Sequence, residues 1–200
     1  MIERINENVF AIRDEDSYID IPFYFLKHKQ GNVLIGVSNN FKDSLVKEIL
    51  KLGSVSYLFV THFHPDFPIE VCKYKMALKA KLIMHEKEAK LLTCKVEKPF
   101  INNFMLYDDV EILYTPGHTI GNSVLFYAGN HGVLFSGDCI CVDKNGNPVM
   151  LKYYVPPKPL TIAEKTRIMS KLKIRDWNTM LSHWGMIRDK AGKRFFEIYS

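Results

Sequence analysis

Short apolar runs alternate with helical stripes along the chain, and the alternation predicts a layered α/β protein. Val9–Ile12 and Phe23–Leu26 are brief apolar runs, and Lys29-Gln30-Gly31-Asn32 is a turn into Val33-Leu34-Ile35, so the first forty residues read as sequential, locally paired strands. Asn39 or Asn40 is placed to cap a helix carrying Phe41, Leu45, Ile49 and Leu52 on one stripe and ended by Gly53. Residues 55–60 form a buried strand, too short and too rich in β-branched and aromatic residues for a helix. Pro68 suits the first turn of a helix with Val71, Cys72 and Met76 inward, residues 81–84 a strand, and residues 85–94 a second helical stretch. From Val110 the pattern changes to three strands in quick succession, 110–114, 123–127 and 132–136, the last two joined by the turn Ala128-Gly129-Asn130-His131. Residues 142–159, rich in proline and glycine, read as an irregular loop. Thr161-Ile162-Ala163-Glu164 is a capping box opening a helix with Ile168, Met169 and Leu172 inward, followed by a strand at 179–181 and a basic tail that docks through Phe195, Phe196 and Ile198.

Composition narrows the class. With 47% hydrophobic and 24% charged residues the chain is an ordinary globular protein, and 200 residues suffice for one domain with a sizeable core. No apolar run approaches the ~20 residues that span a bilayer, and the N-terminus lacks the pattern of a signal peptide, so a cytoplasmic protein without membrane association is expected. The net charge of +5 comes from scattered lysines, which argues for a solvated surface and a small-molecule substrate rather than nucleic acid. Cys72, Cys94, Cys139 and Cys141 are too few and too spread for a disulfide scaffold, and are expected as small buried apolar side chains in a reducing compartment.

The chemistry gathers at strand ends. Residues 55–60 run into Thr61-His62-Phe63-His64-Pro65-Asp66, where i and i+2 project to one side, so that His62 and His64 converge while Phe63 turns to the apolar layer. One such histidine is best read as a polar cap; two at this spacing with an aspartate beside them point to a metal. A second strand runs into Thr115-Pro116-Gly117-His118-Thr119, a third into Ser136-Gly137-Asp138, and a fourth into Ser182-His183-Trp184. His118 alone reads as a turn residue, and Asp138 alone as an ordinary residue after a strand. His85 is expected to start a helix or to support a ligand rather than to be one, His131 to sit in a solvent-facing turn, and His28 to lie on the opening strands away from any chemistry.

The order and context of these residues resemble the metallo-β-lactamase superfamily, which carries T-H-x-H-x-D-H, then P-G-H-T, then G-D, then a final G-H or S-H. The resemblance covers nearly the whole chain. It implies an α/β fold, the four-layer αβ/βα sandwich of the metallo-β-lactamase type, as one domain over residues 1–200. By the same resemblance His62, His64 and His118 match the ligands of a first metal, Asp138 the carboxylate that bridges two metals, and Asp66 and His183 ligands of a second. Zinc at one or two sites is implied, with iron or manganese as alternatives, and Asp66 and Asp138 are the expected catalytic carboxylates. The sequence departs from the pattern at Phe67, where the second-site histidine would stand, at Pro68-Ile69-Glu70, which replaces a glycine-rich helix start, and at Gly36, where the family usually has an aspartate. Phenylalanine has no lone pair to donate, so the first site is complete and the second is not.

The activity implied is a metallo-hydrolase of a small ester, thioester or lactone, in which a metal-activated water attacks a carbonyl and Asp66 orients the water or protonates the leaving group. Two other outcomes fit the same residues. One is a mononuclear non-haem iron enzyme of the persulfide dioxygenase type, holding iron through His62, His118 and Asp138. The other is a member that binds metal without turnover, to which Gly36 and Phe67 would testify. Tyr153 and Tyr154 are expected either to pack their loop or to supply an oxyanion donor, and Trp184 is expected first as a packing residue and otherwise as the wall of a pocket beside His183.

Overall fold

A computed structural model describes residues 1–17, 21–65, 68–154 and 157–199, with the side chain of residue 68 outside the description. Asp66 and Phe67 therefore lie outside the described residues. The chain divides into two compact units, Met1–Phe100 and Ile101–Ser200.

The first unit holds, among its described residues, a seven-stranded sheet in chain order: β1 (Ile2–Arg4), β2 (Val9–Ile12), β3 (Phe23–Leu26), β4 (Asn32–Ile35), β5 (Val55–Phe59), β6 (Lys81–His85) and β7 (Lys98–Phe100). The early strands pair antiparallel, as hairpins must, and β4 to β7 pair parallel. Helix α1 (Asp43–Leu52) connects β4 to β5, and α2 (Pro68–Leu78) connects β5 to β6. Their apolar faces join one core with Phe23, Phe25, Leu34 and Leu58. Because β5 and β6 run side by side in the same direction, both end at one edge of the sheet.

Three details differ from the sequence reading. The position before helix α1 is Lys42, whose side chain makes no cap bond, rather than Asn39 or Asn40; Asn39 accepts from Ser17 and the Asn40 carbonyl accepts from the Tyr74 hydroxyl at 3.0 Å. Met76 is exposed; the inner face of α2 is Val71, Tyr74 and Leu78, whose steps of three and four keep one side of a helix, with Cys72 buried beside Val71. The stretch 85–94 is helical only over α3 (Glu86–Ala89), after which the chain turns so that Cys94 meets Cys72. These two cysteines form a disulfide, which corrects the expectation of four reduced thiols; the parallel β5–β6 crossover brings their Cα atoms to 5.7 Å. Cys139 and Cys141 are buried free thiols as expected.

The second unit holds, among its described residues, a six-stranded sheet in the order β15-β14-β11-β10-β9-β8, formed by β8 (Phe104–Tyr107), β9 (Val110–Tyr114), β10 (Ser123–Tyr127), β11 (Val133–Gly137), β14 (Thr179–Ser182) and β15 (Gly185–Ile187). Only β11 and β14 pair parallel, joined through α4 (Ile162–Lys173). The predicted capping box is present, with Thr161 and Glu164 bonding each other's backbone. Ile168 and Leu172 of α4 and Phe195 of α5 (Ala191–Tyr199) close a core around Trp177. Residues 142–159 are not wholly irregular: β12 (Ile140–Val142) and β13 (Pro148–Met150) form a hairpin, because the Asp143 carboxylate accepts from the amides of Asn145 and Asn147 and so makes the turn. Among the described residues no helix is long and apolar enough to cross a membrane.

Candidate metal centre

The ladder of β5 continues one residue past the strand, where the Val60 amide donates to the Ile83 carbonyl, and the chain then enters the histidine loop. Thr61 and His62 are buried, and the Thr61 hydroxyl lies 2.9 Å from His62 Nδ1, fixing that ring. The His62 and His64 rings meet edge to face at 4.6 Å, and Phe63 packs into the apolar core, the alternation expected of extended backbone. The amide of Phe63, between the two histidines, donates to Glu88 Oε2 at 2.8 Å.

In the second unit β9 delivers His118 through a turn in which the Thr115 amide donates to the Asn122 carbonyl and Asn122 Nδ2 donates back to Thr115. Gly117 sits against Leu160 and Ile168, and a Cβ there would meet them at 3.2–3.3 Å. His118 Nδ1 is 3.0 Å from the Lys152 carbonyl oxygen. A carbonyl only accepts, so Nδ1 carries the proton and Nε2 of the neutral ring keeps its lone pair. That Nε2 lies 3.4 Å from Asp138 Oδ2.

Asp138 follows β11, where the register with β14 shifts between Phe135 and Gly137 and Gly137 adopts φ 52°. Such an irregularity re-aims the residues after it. It sets Asp138 beside the end of β14, and His183 Nδ1 lies 3.0 Å from Asp138 Oδ1. Cys141 adds a weak contact to the same oxygen at 3.9 Å, its thiol pushed well up by burial and then by the Asp138 charge. Asp138 is thus held on Oδ1 and faces His118 with Oδ2.

One donor atom from each of His62, His64, His118 and Asp138 lies within 4.8 Å of the others. Ligands on a tetrahedral zinc, with bonds of about 2.0–2.1 Å, stand about 3.4 Å apart. The His118–Asp138 separation of 3.4 Å matches that edge. Three imidazoles and one carboxylate suit zinc, iron or manganese, so the donors fit a divalent ion. His183 is placed on Asp138, not within this group of four, and Asp66 lies outside the described residues.

The other sequence candidates resolve as follows. His85 caps α3, its Nδ1 accepting from the Lys87 amide at 3.2 Å; His28 accepts from the Gln30 amide; His131 is an exposed turn residue with φ 62°. The Tyr153 hydroxyl donates to Glu164 at 2.5 Å and belongs to the α4 cap. Tyr154 is 40% exposed and its ring stands 5.8 Å from that of His118. Trp184 is half exposed. Sequence reading missed Glu88 and the Lys152 carbonyl. A backbone acceptor leaves no mark in a sequence, whereas an acidic residue just past the strand next to a histidine loop is a usable signal.

No family model and no curated protein matches the chain. Solved structures do. The chain is similar to a metallo-β-lactamase from Pontibacter korlensis, with a TM-score of 0.76 and 15% identity over 100% of this chain and 96% of that one. It is similar to the DIM-1 metallo-β-lactamase, with a TM-score of 0.73 and 18% identity over 99% and 97%. The chain has the metallo-β-lactamase fold. A HARLDQ-motif metallo-β-lactamase from Cronobacter sakazakii is also similar, with a TM-score of 0.69 and 15% identity over 99% of this chain and 90% of that one. The α/β fold implied by the ordered histidine and aspartate motifs is the one observed.

Proposed function

We propose that the chain is a metal-dependent hydrolase of a small ester, thioester or lactone. The observation that carries this reading is the convergence of His62, His64, His118 and Asp138 donors within 4.8 Å. A divalent ion bound there supplies an electrophile for a carbonyl oxygen and lowers the pKa of a coordinated water to about 7. The chain's own residues prepare that chemistry. The Lys152 carbonyl fixes the His118 tautomer, so that Nε2 is the donor. His183 holds one oxygen of Asp138, leaving the other beside His118 and supplying negative charge to the donor set. Asp66, one residue past Pro65, is the group we assign to orient the attacking water or to protonate the leaving group.

A second reading has its own support. His62, His118 and Asp138 contain the two-histidine, one-carboxylate set of non-haem iron enzymes. A single metal also suits the sequence at residue 67. Set against the HARLDQ motif of the Cronobacter sakazakii protein, His62-Phe63-His64-Pro65-Asp66-Phe67 has histidine first and aspartate fifth, and neither string ends in histidine.

The test is metal analysis of protein purified without chelators or metal resin, followed by turnover on a panel of esters, thioesters and lactones. Bound metal, turnover, and loss of both in His118→Ala with retained circular dichroism are expected. A zinc-loaded protein inert on the whole panel refutes the hydrolase, and iron with oxygen consumption on a persulfide supports the second reading instead.

A further inference from the structure

We infer that Glu88 is a positioning residue of the metal centre, holding the His62-Phe63-His64 backbone through the amide between the two histidines. The inference rests on the metal-centre reading above. Glu88 is 2% exposed, and a carboxylate so deeply buried has a specific bond to make. Its Oε2 accepts from the Phe63 amide at 2.8 Å, across 25 positions of sequence. That amide belongs to a loop that follows β5, in which the neighbouring residues His62 and His64 carry two of the four donors.

The placement follows from the sheet. Strand β6 lies parallel to β5 with Phe59 opposite Ile83, so α3 begins where the histidine loop begins. His85 turns the chain by capping α3, and the amides of Leu91 and Leu92 continue the turn by donating to the carbonyls of Glu88 and Ala89. Beyond α3, Leu92, Cys94 and Val96 pack on the core, and Cys94 is bonded to Cys72. Glu88 therefore stands on a segment anchored on both sides, which makes it a fixed support for the loop that follows β5. Metal sites require donors within about 0.5 Å of their productive positions, and a single amide bond at residue 63 constrains both imidazoles together.

The chemistry predicts an unusual ranking of variants. Glu88→Gln keeps an acceptor oxygen at the same reach, Glu88→Asp keeps the charge but withdraws it by a methylene, and Glu88→Ala removes the acceptor. Metal affinity measured by competition with a chromophoric chelator, at a temperature where each apo-protein is folded, is expected to fall 10–100-fold in Glu88→Ala and Glu88→Asp and no more than about threefold in Glu88→Gln. The cobalt(II) spectrum should change in the first two and be restored in the third. Wild-type affinity and spectrum in Glu88→Ala overturn the inference, as does a ranking in which Glu88→Asp is sound and Glu88→Gln is not. Wild-type protein that binds neither zinc nor cobalt overturns the metal-centre reading itself, a separate result from either of these.

Discussion

Breaking the Cys72–Cys94 bond should cost stability by an amount set by the loop it closes. The two cysteines are 22 positions apart, and cross-linking a loop of that length removes chain entropy from the unfolded state worth about 3 kcal/mol. The bond ties α2, which starts at Pro68 just after the histidine loop, to the chain beyond α3. For a domain of this size about 3 kcal/mol corresponds to a drop in Tm of about 6–12 °C. The assay has two parts. Thiol titration of the denatured, unreduced protein should count two thiols per chain, Cys139 and Cys141, of the four cysteines present. Thermal unfolding with a phosphine reductant should then lower Tm in the wild type and leave a Cys72→Ser/Cys94→Ser variant unchanged at the lower value. Four titratable thiols, or equal Tm with and without reductant, refute the reasoning. The count also bears on compartment, because structural disulfides persist in oxidising surroundings.

Two further outcomes follow from local geometry. Gly132 has φ 80°, and a Cβ there would lie 2.8 Å from Trp177 Cα and closer still to the Asp176 carbonyl oxygen, so Gly132→Ala should destabilise by about 3 kcal/mol and lower Tm by about 6–12 °C in a thermal melt; a change under 2 °C contradicts the packing. The Tyr153 bond holds the Glu164 carboxyl down at about 2 against a usual 4.5, with Thr161 assisting, and so contributes stability above pH 4.5 that fades as pH falls toward 2. Tyr153→Phe should therefore cost about 1 kcal/mol at neutral pH and progressively less in acid, measured as the Tm difference between variant and wild type from pH 7 to pH 3; a difference independent of pH contradicts the assignment.

The sequence was most informative where a local rule left one solution. The strand at 55–60, the capping box at Thr161 and the strand ends carrying His62, His64, His118 and Asp138 were legible because periodicity, turn chemistry and motif order act over a few residues. The misreadings arose where distant partners decide. Asn39 and Asn40 are good caps in isolation, but Ser17 and Tyr74 engage them and the helix starts later. Residues 85–94 have helical spacing, yet the chain turns after Ala89 and Cys94 bonds Cys72. Glu88 carries a usable signal, an acidic residue just past a strand, but its bond to the Phe63 amide depends on β6 lying beside β5, which the sheet order supplies.

The supports around the donors bear on what Phe67 means. His62 is fixed by Thr61, His118 by the Lys152 carbonyl, Asp138 by His183, and the amide between His62 and His64 by Glu88. On the proposed reading each bond restricts a donor of the first site, and a donor fixed before an ion binds needs less ordering when it does. Phe67, which lies outside the described residues, offers no lone pair at the position where the resemblance expects a second-site histidine. The groups so supported, His62, His64, His118 and Asp138, are the ones whose donor atoms lie within 4.8 Å of one another, and His183 bonds Asp138.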